Sequence, residues 1–236
     1  MKNKFNILLV VTGLPDAATP ARSVFNLRYA EELLKSGNEV TILYLRAIKP
    51  GRSLLRVSKI NEIDVFEVSV IFPNLGIIKR TTPLTSFFNY AIRKNKLADR
   101  LKYIEIVHAV HRGAMELSYL VSRNINRPLI SQFIGGDLEN NIPYLWKRKN
   151  FIKAIEHSSF LCFNSKGLEK TFSRNLNGSY KTEVLYRGVK LNDFRYTFKK
   201  SSTINVLFLG GFPGNTNLKG GKTLIQAIEY LSTNRL

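Results

Sequence analysis

Apolar residues in this chain alternate between two rhythms. Ile7 to Val11 is a short β-branched run without polar interruption, the pattern of a strand covered on both faces. A loop rich in Gly, Pro and Ala follows from Gly13 to Ala21, and Ser23 stands at the N-cap of a helix. Its apolar positions Val24, Leu27, Ala30 and Leu34 recur every three or four residues, and Gly37 ends it. Glu39 to Tyr44 reads as a second strand, which completes a βαβ unit and predicts a parallel sheet.

The same rhythm continues. Ile63 to Phe72 reads as extended, Pro73-Asn74 as a turn, and Pro83 to Lys102 as one helix. Strands are predicted at Ile104–His108, Leu129–Phe133, Ser159–Phe163 and Thr182–Tyr186. Helices are predicted at Gly113–Ser122, Asn150–His157 and Ser165–Ser173. Alternating strands and helices mean an α/β fold with an open, doubly wound parallel sheet. Phe194 to Thr203 reads as a linker, after which strand Ile204–Leu209, a glycine-dense loop and helix Lys222–Leu231 form one further βα step.

With 236 residues, one large domain or two smaller ones fit. The hydrophobic share of 44% excludes wholesale disorder. A single cysteine, Cys162, excludes an internal disulfide framework and fits a reducing compartment. No apolar run approaches the roughly 18 residues of a membrane span. The opening Met1-Lys2-Asn3-Lys4 and its apolar run superficially resemble a secretory leader. Thr12 and Gly13 interrupt that run and no A-x-A site follows, so a buried strand accounts for it better.

Charge changes the picture more. Thirty-six Lys and Arg against 17 Asp and Glu give a net +19, a field that draws phosphates. Nucleic acid, an anionic membrane surface and a phosphorylated small molecule all meet that description. No nucleic-acid motif or aromatic stacking platform is present, which argues against the first. Ile77 to Lys102 interleaves Lys79, Arg80, Arg93, Lys94, Lys96, Arg100 and Lys102 with Phe87, Phe88 and Tyr90, a pattern suited to anionic lipid.

Five glycines, Gly210, Gly211, Gly214, Gly220 and Gly221, lie between the late strand and helix, where backbone amides and the helix dipole favour an anion. The loop is neither a Walker A motif, since Thr216 occupies the first glycine position, nor a G-x-G-x-x-G fingerprint, since Phe212 follows Gly210-Gly211. Lys219 can add a charge to it.

These segments, in their order, resemble the family 4 retaining glycosyltransferases of GT-B fold. Ala30-Glu31-Glu32-Leu33-Leu34-Lys35-Ser36-Gly37-Asn38-Glu39-Val40 is similar to the family's "A-x-x-L-x-x-x-G-H-E-V". Ile106-Val107-His108-Ala109 resembles "D-V-V-H-A-H", and Gly135-Gly136-Asp137 the end of "H-G-x-D". Val184 to Phe194 is similar to "V-I-P-N-G-V-D-x-x-x-F", and Val206 to Gly210 with Lys219-Gly220, Leu224 and Ala227 to "V-G-R … K-G … L-x-x-A". Ile134, Gly211, Arg187 and Lys190 depart from the residues usual in those motifs.

The resemblance implies a GT-B N-terminal, acceptor-side domain over residues 1–195. Residues 204–236 then form the first strand, loop and helix of a second Rossmann-like domain, truncated, that binds the donor. It implies transfer of a sugar from a nucleotide-diphosphate sugar, with retention, to a lipid-linked or saccharide acceptor, as in surface polysaccharide or glycolipid synthesis. No metal or other cofactor is implied. Asp137 and His108 are the implied catalytic positions, and Gly210, Gly211 and Lys219 the donor-phosphate site. Arg22, Ser23 and His111 belong to the acceptor cleft. The expected setting is cytoplasmic, peripheral on the inner membrane face. The alternative is a non-catalytic module that binds membrane or carbohydrate.

Overall fold

The structure is a computed structural model that describes residues 4–16, 23–48, 51, 53–70, 74–75, 78–79, 85–94, 96–135, 149–176, 178–188, 206–208 and 220–234. The chain divides into two compact units, Met1–Gly188 and Val189–Leu236. In the first unit, β1 (Asn6–Val11), α1 (Val24–Lys35) and β2 (Glu39–Ala47) form the predicted βαβ unit. Then come β3 (Leu55–Ile60), β4 (Ile63–Val70), the two-residue strands β5 (Asn74–Leu75) and β6 (Ile78–Lys79), α2 (Thr85–Lys94) and α3 (Leu97–Arg100). The unit ends with β7 (Ile106–Ala109), α4 (Arg112–Ile125), β8 (Leu129–Phe133), α5 (Lys149–His157), β9 (Ser158–Phe163), α6 (Lys166–Asn175) and β10 (Thr182–Val184).

Eight strands make one sheet in the order β10-β9-β8-β7-β1-β2-β4-β3. Every pairing is parallel except β3 with β4. Without the outer β3 this is a 3-2-1-4-5-6 order extended by one strand, so the predicted Rossmann-like, doubly wound α/β fold is the fold found. Right-handed crossovers put α1 on one face and α2 to α6 on the other. Leu8, Val10, Val107, Leu129, Phe133, Leu161 and Phe163 line the larger core on one face of the sheet. Ile7, Leu9, Val11, Ile42, Val65 and Val110 line the smaller core beneath α1.

Besides small shifts of strand and helix ends, such as β10 stopping at Val184 rather than Tyr186, several elements differ from the sequence reading. The strand β3 was not expected; it forms a hairpin with β4 through Asn61, whose left-handed φ of 54° suits Asn better than most residues. The expected helix over 83–102 is two, because Lys96 adopts a left-handed φ of 48° between α2 and α3. Asn74, expected in a turn, pairs with Lys79 between β5 and β6. The strand expected at Ile104–His108 begins at Ile106, since the Ile104 N–H still bonds back to Leu101.

In the second unit, Val206 to Phe208 lie outside regular structure, where a strand was expected, and α7 (Gly221–Asn234) occupies the place of the predicted last helix. The linker expected from Phe194 to Thr203 lies outside the described residues. Among the described residues, no helix is long and apolar enough to cross a membrane.

Candidate functional site

Open α/β sheets bind ligands beyond the carboxyl ends of their strands, where the strand order reverses. Here that point lies between β1 and β7, and the chain leaves it through Thr12-Gly13 on one side and Val110-His111 on the other. The two exits are joined: Val110 N donates to Val10 O at 3.2 Å, and Thr12 Oγ1 lies 2.5 Å from His111 Nε2.

His111 is the N-cap of α4, with extended backbone and Nδ1 accepting from Gly113 N at 3.0 Å. An Nδ1 that accepts carries no proton, so the hydrogen-bond pattern assigns the Nε2–H tautomer, which donates to Thr12. Gly113 lets the ring fold back this far, because a Cβ there would sit 2.8 Å from His111 Cε1.

The β1 exit is packed as closely. A Cβ on Gly13 would lie 2.9 Å from Ser23 Cβ and closer still to Ser23 Oγ. Ser23 has φ 52° and ψ 26°, a left-handed conformation that costs a serine about 1–2 kcal/mol. It occupies the N-cap position of α1 as expected, but its side chain makes no capping bond. Asn26 in the first turn holds the loop instead: its Nδ2 donates to Gly13 O at 2.7 Å. Asn26 is 1% exposed, and its Oδ1 has no hydrogen-bond partner among the described residues.

His108 lies on β7 beneath α1, 4% exposed. Tyr29 of α1 packs edge-on against it, ring centroids 5.6 Å apart, with its hydroxyl 3.4 Å from Nδ1. Burial pushes the His108 pKa down to about 4, partly offset by the Gln132 side chain beside it. Burial, helped by Cys162, raises Tyr29 to about 12. Both groups are therefore neutral at pH 7, and Nε2 of His108 makes no hydrogen bond of ordinary geometry among the described residues. On β8, Gln132 donates to Asn164 Oδ1 at 2.9 Å. Gly135 follows with φ +139°, open to glycine and rarely to other residues.

At this switch point Ser23 packs against Gly13 and His111 bonds to the adjacent Thr12, while His108 is buried on β7 beneath α1. Arg22, Asp137, Gly210, Gly211 and Lys219 lie outside the described residues. Thr12, Asn26, Tyr29 and Gln132 were missed by the sequence reading. Asn26 could have been found: it stands four residues before Ala30 on the helix face that proves buried. Chemically, the strand exits carry the hydroxyls of Thr12 and Ser23 and the His111 imidazole, while Asn26 and His108 are buried behind the loops. Among the described residues, no cluster of His, Cys, Asp and Glu could hold a metal ion.

Comparison with known proteins bears on the fold. No protein-family model matches the chain, and no curated protein matches it. Among solved structures, one chain of sucrose-phosphate synthase from Thermosynechococcus elongatus superimposes with a TM-score of 0.53 at 12% identity, covering 80% of this chain and 92% of that one. A longer chain of the same enzyme gives a TM-score of 0.52 at 16% identity, covering 80% of this chain and 49% of that one. This chain therefore spans about half the length of the longer synthase. At such identities the likeness establishes architecture alone: the chain shares the Rossmann-like α/β fold of a GT-B domain.

Proposed function

We propose that this chain supplies the acceptor-side domain of a family 4, retaining glycosyltransferase. The reaction moves a sugar from a nucleotide-diphosphate sugar to a hydroxyl of a lipid-linked or saccharide acceptor. The observation that supports this reading is the sheet's switch point, where Ser23 and the His111–Thr12 pair stand at the strand ends, held by the buried Asn26 bond to Gly13. Arg22, Ser23 and His111 are assigned to the acceptor. Gly210, Gly211 and Lys219 are assigned to the donor diphosphate, where a cation stabilises charge as the diphosphate leaves. Asp137 is assigned to orient a sugar hydroxyl. His108, neutral and enclosed, is assigned to hold the back of the crevice rather than to exchange protons. No metal or cofactor enters the reaction, and the assigned setting is the cytoplasm.

The test is nucleotide release by the protein purified from its natural host, with a panel of sugar nucleotides and saccharide or lipid-linked acceptors. Acceptor-dependent release of the nucleoside diphosphate, lowered roughly 100-fold or more by Lys219→Ala, is the expected result. Saccharide binding with no response to any nucleotide would overturn this reading in favour of a binding module.

A further inference from the structure

Arg187 departs from the motif that its segment resembles, and its side chain crosses to the start of α1. The guanidinium carbon lies 4.1 Å from the centre of the Phe25 ring. The two residues come from far apart in the sheet. Phe25 follows the exit of β1, whereas Arg187 stands three residues past the end of β10, with β9, β8 and β7 between those strands. The base of the run beyond β10 is fixed, since Leu185 N donates to Phe163 O of β9 at 2.8 Å. Leu185, Tyr186 and Arg187 are all exposed, so burial does not hold this run in place.

Charge does not draw Arg187 to α1 either. The first turn of that helix has no acidic residue, and the positive end of a helix repels a cation. The face of the Phe25 ring is therefore what holds the guanidinium, by cation–π attraction and flat stacking. The turn it holds is a strained one. Ser23 keeps its left-handed conformation, which persists only where the surroundings over-determine it. Two bonds restrain it from its own side: Asn26 N donates to Ser23 O at 3.0 Å, and Asn26 Nδ2 to Gly13 O at 2.7 Å. The stack on Phe25 adds a third restraint, brought from the other end of the sheet.

We infer that Arg187 and Phe25 form a latch between the chain leaving β10 and the first turn of α1. The first compact unit ends at Gly188, so the latch uses the last side chain before the chain passes to the second. Closed, it holds the Ser23 turn and the departing chain together. Open, it frees each to move alone. The inference stands on this contact and does not rest on the transferase reading.

Two measurements on the whole chain test it, one from each side of the contact. A cation–π stack at an exposed site is worth about two- to fivefold in an equilibrium. Arg187→Gln should speed hydrogen exchange of the Asn26 amide by about that factor. Phe25→Ala should speed trypsin cleavage between Arg187 and Gly188, followed by mass spectrometry, about two- to fivefold. Phe25→Tyr keeps the ring and should behave as the wild type in both. Adding Arg187→Gln to Phe25→Ala should leave Asn26 exchange where Phe25→Ala alone puts it. Unchanged exchange in Arg187→Gln would overturn the latch, as would unchanged cleavage in Phe25→Ala. So would effects that simply add in the double variant.

Discussion

Replacing Gly113 with alanine sets two effects of similar size against each other. The new methyl carbon would lie 2.8 Å from His111 Cε1 and 3.1 Å from Nδ1, so the ring must swing away. Swinging it away breaks the Gly113 N–H cap, worth about 1 kcal/mol, and the bond to Thr12, worth about another 1 kcal/mol. Against that, alanine is better than glycine in a helix by up to about 1 kcal/mol. The net expectation is a loss of about 1 kcal/mol.

When His111 is already alanine, the ring and both of its bonds are gone and only the propensity gain remains. Gly113→Ala should then stabilise by about 0.5–1 kcal/mol, reversing its sign. Urea unfolding of the wild type, the two single variants and the double variant, followed by circular dichroism, measures the coupling, expected near 2 kcal/mol. A coupling below about 0.5 kcal/mol would refute the claim that His111 is folded onto Gly113.

Two further outcomes follow from the buried groups. His108 has a folded pKa of about 4 against an ordinary 6.5, so between those values the unfolded chain binds the extra proton. Its contribution is complete above pH 6.5 and lost as pH falls toward 4, about 3 kcal/mol in all; urea midpoints from pH 7.5 to 4.5 should fall less steeply for His108→Gln than for the wild type. Phe133 is fully buried, stacked on Phe163 at 5.2 Å and against Phe172 at 5.4 Å. Phe133→Ala should cost about 3–5 kcal/mol and Phe133→Leu clearly less, read as the melting temperature of each variant; equal melting temperatures for the two would refute the packing.

The inner strands were legible because short apolar-rich segments stand between turn residues and amphipathic helices. Leu129–Phe133 was read to the residue, and the strand at Ser158–Phe163 to within one. The edge strand β3 was not, since Leu55-Arg56-Val57-Ser58-Lys59-Ile60 is half exposed and its polar positions hide the run. Its clue was Asn61, a residue at ease with positive φ, standing between two apolar ends.

The helix over 83–102 was read as one because its apolar spacing carries through the break at Lys96, and periodicity alone does not register a left-handed residue of ordinary type. In the site, the histidines drew attention by their chemistry. Asn26 and Thr12 did not, because their roles arise from contacts across loops that no local pattern encodes. Ser23 was found at the right place for a different reason: its close approach to Gly13, not a capping bond, defines it.

The hairpin at β3 also bears on how copies of this chain behave when crowded. An open sheet has two borders, and each exposes backbone groups that a neighbouring molecule can pair with. One border here is β3, which carries exposed Arg56 and Lys59, the latter paired with Asp64, so a second copy brought edge to edge would have to bury charged side chains. The other is β10, only three residues long and too short to template an extended ladder. The sheet therefore discourages edge-to-edge pairing at both margins, while helices cover its two faces.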